Sequence, residues 1–185
     1  MPIVLNGDGT VSGISAGGLP DGCITAADLA SGVGGKFSSY AVIAKVRAGN
    51  AGGFGTYTSG DWRTRDLDTE ITDEDNIVSI SSNQFTLQAG TYLINFGCTM
   101  YHIDKHAIRL QNITDGSTAG VGNPNASYTY SAQLFTTGVC RVTIASAKVF
   151  EVQGYPSSTY ATSGMGYAVV NGSCHETRVE IYKES

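Results

Sequence analysis

The run His102-Ile-Asp-Lys-His106 places two imidazoles and a carboxylate at alternate positions. On a regular strand these three would project from one face, a ligand set suited to a transition metal. The plainer alternative is a histidine that makes hydrogen bonds at a strand end. Residues 61–75 form a second grouping, with seven acids (Asp61, Asp66, Asp68, Glu70, Asp73, Glu74, Asp75) against Arg63 and Arg65. Asp73-Glu-Asp75 offers oxygens of the kind calcium takes, but EF-hand spacing is absent and a solvated acidic loop accounts for the same residues. Nucleophilic and phosphate chemistry lack their signatures: there is no Gly-x-Ser-x-Gly elbow and no Gly-x-x-x-x-Gly-Lys-Ser/Thr loop, and Gly52-Gly-Phe-Gly55 is loop glycine. Paired carboxylates for glycoside cleavage have no cleft to sit in that the sequence identifies. No catalytic residue, cofactor or metal ligand is therefore assigned, and the chain is not expected to be an enzyme.

The aromatic residues carry a different chemistry. Trp62, Tyr128, Tyr155 and Tyr160 fall in or beside loops, where an aromatic ring stacks on a sugar or anchors an interface. These four are the candidate surface-ligand contacts. Cys23, Cys98, Cys140 and Cys174 are too far apart for a CxxC motif; Cys98 and Cys140 alternate with apolar neighbours and are expected as buried free thiols. Three glycosylation sequons, at Asn112, Asn125 and Asn171, are of the number chance supplies in a chain rich in Ser and Thr.

The elements that must position these groups are strands. Fourteen of the 24 glycines lie in residues 1–60, and the first stretch holds too few large apolar residues to fold alone. Residues 1–38 are expected to be an extended arm, with one capped turn at Thr25-Ala-Ala-Asp28 ended by Gly32. From Tyr40 the period becomes two. Strands are predicted over 40–47, 77–80, 84–87, 91–98, 107–110, 131–135, 139–144, 148–153, 166–170 and 177–182, separated by Gly, Asn and Ser turns such as Asp115-Gly116. Tyr92, Ile94 and Phe96 share one face, as do Ile108 and Leu110. These five are the expected core or subunit-packing set. Without any sustained helical period, residues 39–185 read as an all-β sandwich or jelly roll.

Composition narrows the partners. Eleven basic against sixteen acidic residues give a net charge of −5, with no basic run to neutralise a phosphate backbone, so a nucleic-acid binder is not expected. No apolar stretch has the length of a membrane span, and the start Met1-Pro-Ile-Val-Leu lacks a basic and apolar leader, which predicts synthesis and folding in a cytoplasm.

Phe85-Thr-Leu-Gln-Ala-Gly-Thr-Tyr-Leu-Ile-Asn-Phe96, Arg109-Leu-Gln-Asn-Ile-Thr-Asp-Gly116 and the closing Thr177-Arg-Val-Glu-Ile-Tyr182 resemble strands of the tumour-necrosis-factor superfamily and complement globular heads. That resemblance implies a ten-stranded jelly roll that packs as a tight homotrimer. Residues 55–70, 77–87 and 106–115 are in addition similar to jelly-roll modules of bacteriophage virion proteins, chiefly tail fibres. Ile14-Ser-Ala-Gly-Gly-Leu-Pro-Asp-Gly22 with Ala27-Asp-Leu-Ala30 resembles the connector that precedes such modules.

This likeness implies a virion structural protein, assembled in the host cytoplasm and placed on the outer surface of the particle. With no shaft between arm and head, the expected form is a trimeric capsid decoration or cement protein bound to the major capsid protein through residues 2–5 and Ile3, Leu5, Ile14, Leu19, Ile24 and Leu29. The competing expectation is an adhesin at a tail-fibre tip that binds a host glycan.

Overall fold

A computed structural model of the chain describes residues 4–5, 11–12, 35–126, 132–168 and 172–184. Two compact units divide the chain, one over residues 1–36 with Ser185 and one over Phe37–Glu184. Within the first unit, β1 (Val4–Leu5) and β2 (Val11–Ser12) pair antiparallel, a feature the extended-arm expectation lacked. The turn expected at residues 25–32 and the arm anchors Ile3, Ile14, Leu19, Ile24 and Leu29 lie outside the described residues.

The second unit is a two-sheet jelly roll without a helix among the described residues. Its strands are β3 (Phe37–Arg47), β4 (Arg63–Thr64), β5 (Thr69–Thr72), β6 (Val78–Ser81), β7 (Gln84–Leu87), β8 (Gly90–Tyr101), β9 (Lys105–Asn112), β10 (Ser117–Val121), β11 (Asn125–Ala126), β12 (Gln133–Ile144), β13 (Lys148–Pro156) and β14 (Cys174–Glu184). One sheet runs β12-β8-β14-β3-β5. The other runs β10-β9-β13-β7-β6, with β11 on β9 and β4 on β13. All pairings are antiparallel.

The inward positions of both sheets supply the core. Tyr92, Ile94, Phe96 and Cys98 of β8 alternate inward with Ile43, Val179 and Ile181 beside them, and they meet Phe85, Leu87, Ile108, Leu110, Phe150 and Val152 from the facing sheet. Each of these is at most 2% exposed. Burying side chains of this size stabilises by about 1.5–3 kcal/mol each. Tyr92, Ile94, Phe96, Ile108 and Leu110 thus belong to the interior of one subunit; the subunit-packing half of their expected role is corrected, because the residues that face outward from β8 have the opposite parity.

The predicted strands differ from the observed ones in instructive places. The strands predicted at 131–135 and 139–144 are, over their described residues, one continuous strand, β12 (Gln133–Ile144), not two. Gly138 sits inside it because a methyl there would lie 2.5 Å from the Phe96 ring and 2.7 Å from Gly122, so the glycine serves close approach and not a turn. The strand expected at 166–170 is absent over its described part, where Tyr167 makes only an isolated bridge to Gly53. The short strands β4, β5, β10 and β11 were not predicted; apart from Ile71 and Val121 their residues are polar or small, and only pairing to longer neighbours makes them strands. With twelve strands described in this unit, the expected count of ten is also revised.

Candidate functional site

The outward face of the β12-β8-β14-β3 sheet carries apolar side chains that a lone subunit would leave wet. β12 turns Phe135, Thr137 and Val139 outward, β14 turns Arg178, Glu180 and Tyr182, and β3 turns Tyr40 and Val42. Tyr40 is 53% exposed, Phe135 47% and Val139 58%. Tyr182 stacks on Tyr40 at 6.5 Å and meets Phe37 at 5.5 Å. Between β12, β8 and β14 runs a groove of about 460 Å3 whose walls include Phe135, Val139, Gly97, Arg178 and Glu180.

The polar groups on this face hold one another. Arg178 pairs with Glu180 at 2.8 Å, and Glu180 also accepts from Asn95 and the Tyr182 hydroxyl, both at 3.3 Å. Phe135 lies over Gly97, where a methyl would come within 2.6 Å of its ring. An exposed apolar patch with a satisfied polar lattice is the makeup of a protein contact surface.

A buried ion network anchors one end of the same sheet. Arg65 and Glu176 are both fully buried and 3.2 Å apart. Arg65 Nη2 also donates to the carbonyls of Thr99 (3.1 Å) and Met165 (2.6 Å), which ties the 160–168 loop to β8. Glu176 accepts from Arg47 Nε at 2.7 Å, and Arg47 reaches Asp66 at 2.9 Å. Burial pushes the Glu176 carboxyl above its ordinary range while the two guanidiniums pull it back. The Arg65 guanidinium also lies 5.0 Å from the centre of the Tyr57 ring.

The histidine and acidic groupings are structural. His102 has φ 58° and stacks on Tyr160 at 4.0 Å, Asp104 is exposed, and His106 is buried against Thr136 Oγ1. The left-handed residue breaks the strand before β9, so the three side chains do not share a face, and among the described residues no cluster of three or more His, Cys, Asp or Glu could hold a metal. Asp73, weighed as a calcium ligand, spends both carboxylate oxygens on the backbone N–H groups of Ile77 (2.9 Å) and Val78 (3.0 Å). Asp66 and Asp68 pair with Arg47 and Lys45. Cys98 is in the core, and Cys140, partly buried, packs against it as a free thiol.

Burial, with a smaller contribution from Arg65, lowers the His106 imidazole to about 4. The native state thus keeps a neutral ring where the unfolded chain, titrating near 6.5, takes up a proton. Stability is expected to fall as pH drops from about 6.5 and to level off below about 4. Urea midpoints measured across that range would show the decline, and His106→Asn would flatten it; an unchanged profile in the variant would assign the decline to other groups.

Of the four loop aromatics, Trp62 and Tyr155 come together: their ring centres are 5.5 Å apart and Arg109 lies 4.2 Å over the indole. Tyr160 is separate, in a cluster with Tyr101 and His102. Tyr128 lies outside the described residues. The residues that sequence reasoning passed over are Tyr40, Phe135, Val139 and Tyr182. Their signal was present: β12 carries apolar side chains at both parities, as strands covered on both faces do.

No protein-family model matches the chain, and no curated protein matches it. Solved structures do. The Eiger TNF of S. frugiperda superposes with a TM-score of 0.51 at 11% identity, covering 81% of this chain and 94% of that one. Murine APRIL at pH 8.0 gives 0.50 at 8% identity, over 78% and 98%. The globular domain of zebrafish complement 1qA gives 0.47 at 11% identity, over 80% and 96%. At these identities the first two establish the fold, a tumour-necrosis-factor-like jelly roll.

Proposed function

We propose that this chain is a homotrimeric structural protein of a bacteriophage virion, a decoration or cement protein whose heads assemble through the outward face of the β12-β8-β14-β3 sheet. The observation that carries the assembly is that face, with Tyr40, Phe135 and Val139 about half exposed around a groove. A threefold contact buries the patch three times over, once per subunit pair. The tumour-necrosis-factor resemblance of the sequence, with the fold it led to, supports a trimer. The virion assignment rests on the likeness of residues 55–70, 77–87 and 106–115 to phage modules. In this reading the arm contributes Ile3, Leu5, Ile14, Leu19, Ile24 and Leu29 to the capsid surface, and multivalent attachment makes dissociation of a capsid subunit break arm contacts as well.

Sedimentation equilibrium tests the assembly: the expected mass is three times the 19.3 kDa of the chain, and Phe135→Asp with Val139→Asp is expected to return it to one chain mass. A wild-type monomer would overturn the trimer. Copy number in purified particles tests the location. Hundreds of copies retained on tailless heads agree with decoration, whereas a few trimers lost with the tails would replace it by a fibre tip. Deleting residues 1–37 is expected to leave a folded trimer that no longer binds capsids.

A further inference from the structure

On the sheet opposite the assembly face, the outward side chains of β9, β13 and β10 form a ladder. Arg109 and Gln153 are cross-strand partners, as are Gln111 and Glu151. Arg109 Nε donates to Gln153 Oε1 at 2.7 Å and Nη1 to Thr118 Oγ1 at 3.3 Å. Gln153 Nε2 donates in turn to Glu151, which also accepts from Gln84 at 2.9 Å and Thr64 at 3.0 Å. Glu151, although it faces outward, is only 4% exposed because these donors cover it.

Trp62 and Tyr155 rise at one end of this ladder. Arg109 occupies one face of the indole, and Trp62 as a whole is partly exposed. Tyr155 is 38% exposed and meets the indole edge-on, at an interplanar angle of 64°. The rings are held from two sides, so little side-chain entropy remains to be lost when a ligand arrives.

We infer that this platform is a binding site for a neutral oligosaccharide. A pyranose has one face of C–H groups and a rim of hydroxyls. The weakly positive C–H face matches the negative face of an aromatic ring, and paired hydroxyls match planar amide and guanidinium groups held side by side. The charges around Trp62 balance: Arg63 and Arg109 stand against Asp61 and Glu151, with Glu151 already saturated by donors. A strongly anionic ligand would find no surplus cation there. Arg109, Gln153 and Tyr155 lie on the outward side of adjacent strands and not in an enclosed pocket, which suits a chain of sugars more than a buried small molecule. It goes beyond the assembly reading and does not depend on it, since every residue of the site belongs to one subunit.

Trp62 is the single tryptophan of the chain, so its emission reports on this site alone. The test titrates the full-length protein with neutral oligosaccharides of glucose, galactose, mannose and N-acetylglucosamine, and follows the same sugars by saturation-transfer NMR. A saturable emission change with at least one of them is expected. Tyr155→Ala should weaken that binding by about tenfold or more, and Trp62→Ala should remove the NMR transfer, with circular dichroism unchanged in both. No saturable change with any of the sugars would overturn the inference. So would binding that survives both substitutions.

Discussion

Glu176→Ala is expected to destabilise the head by about 3–5 kcal/mol, the range found when one partner of a buried ion pair is removed. Arg65 has no route to water, being fully buried, and its charge is balanced inside the fold by Glu176 at 3.2 Å. Its remaining hydrogen bonds, to the carbonyls of Thr99 and Met165, accept a donor but carry no compensating charge. Arg47 loses a partner by the same change, although it keeps Asp66 and is partly exposed, so its share of the loss is smaller. Urea denaturation followed by far-ultraviolet circular dichroism measures the effect as a lower midpoint. The double variant Arg65→Met with Glu176→Leu should recover most of the loss, because two apolar side chains of similar volume leave no charge behind. A single variant that unfolds within about 1 kcal/mol of the parent would mean that water reaches Arg65.

Gly154→Ala is expected to cost about 2–3 kcal/mol by overpacking. Gly154 is the β13 residue opposite Ile108, and a methyl on it would overlap the Tyr57 hydroxyl. Tyr57 is fully buried, and its ring lies against Arg65, so it cannot move aside without disturbing the ion network. Its hydroxyl makes no hydrogen bond of good geometry to a protein atom. Tyr57→Phe should therefore cost less than about 1 kcal/mol by itself. Placed in the Gly154→Ala background, the same change removes the atom that the methyl meets and should restore part of the lost stability. The coupling in this double-mutant cycle is the measurement. Additive effects would show that the strand shifts to accommodate the methyl and that Tyr57 is not the obstacle.

The alternation of β8 makes Tyr92, Ile94 and Phe96 legible as one buried face from the sequence alone, and the same holds for Ile108 and Leu110 in β9. The class of fold followed from such runs and from the turn residues between them. The boundaries did not. Gly138 reads as a break in a strand, yet it lies within one because Phe96 and Gly122 need the space of its missing side chain. β4, β5, β10 and β11 are strands only through their neighbours.

The candidate sites divide in the same way. Trp62 and Tyr155 could be named from the sequence as partly exposed aromatics, although Tyr155 proves to lie at the end of β13 and not in a loop. That they stand together beneath Arg109, 47 and 46 positions away respectively in the chain, was decided by the pairing of β13 with β9 and β4. The His102, Asp104 and His106 spacing pointed the other way. Period two puts three ligands on one face only if the backbone stays extended, and the positive φ at His102 turns that ring onto Tyr160.

By itself the sequence determined which side chains face in and which face out along β8 and β9, because there the choice depends only on alternation within a few residues; in β12, apolar at both parities, it did not. Tertiary structure decided which outward side chains became neighbours. Long-range strand register alone brings Tyr40 beside Tyr182, Arg65 to Glu176 and Trp62 to Arg109, and register is set by the whole core at once.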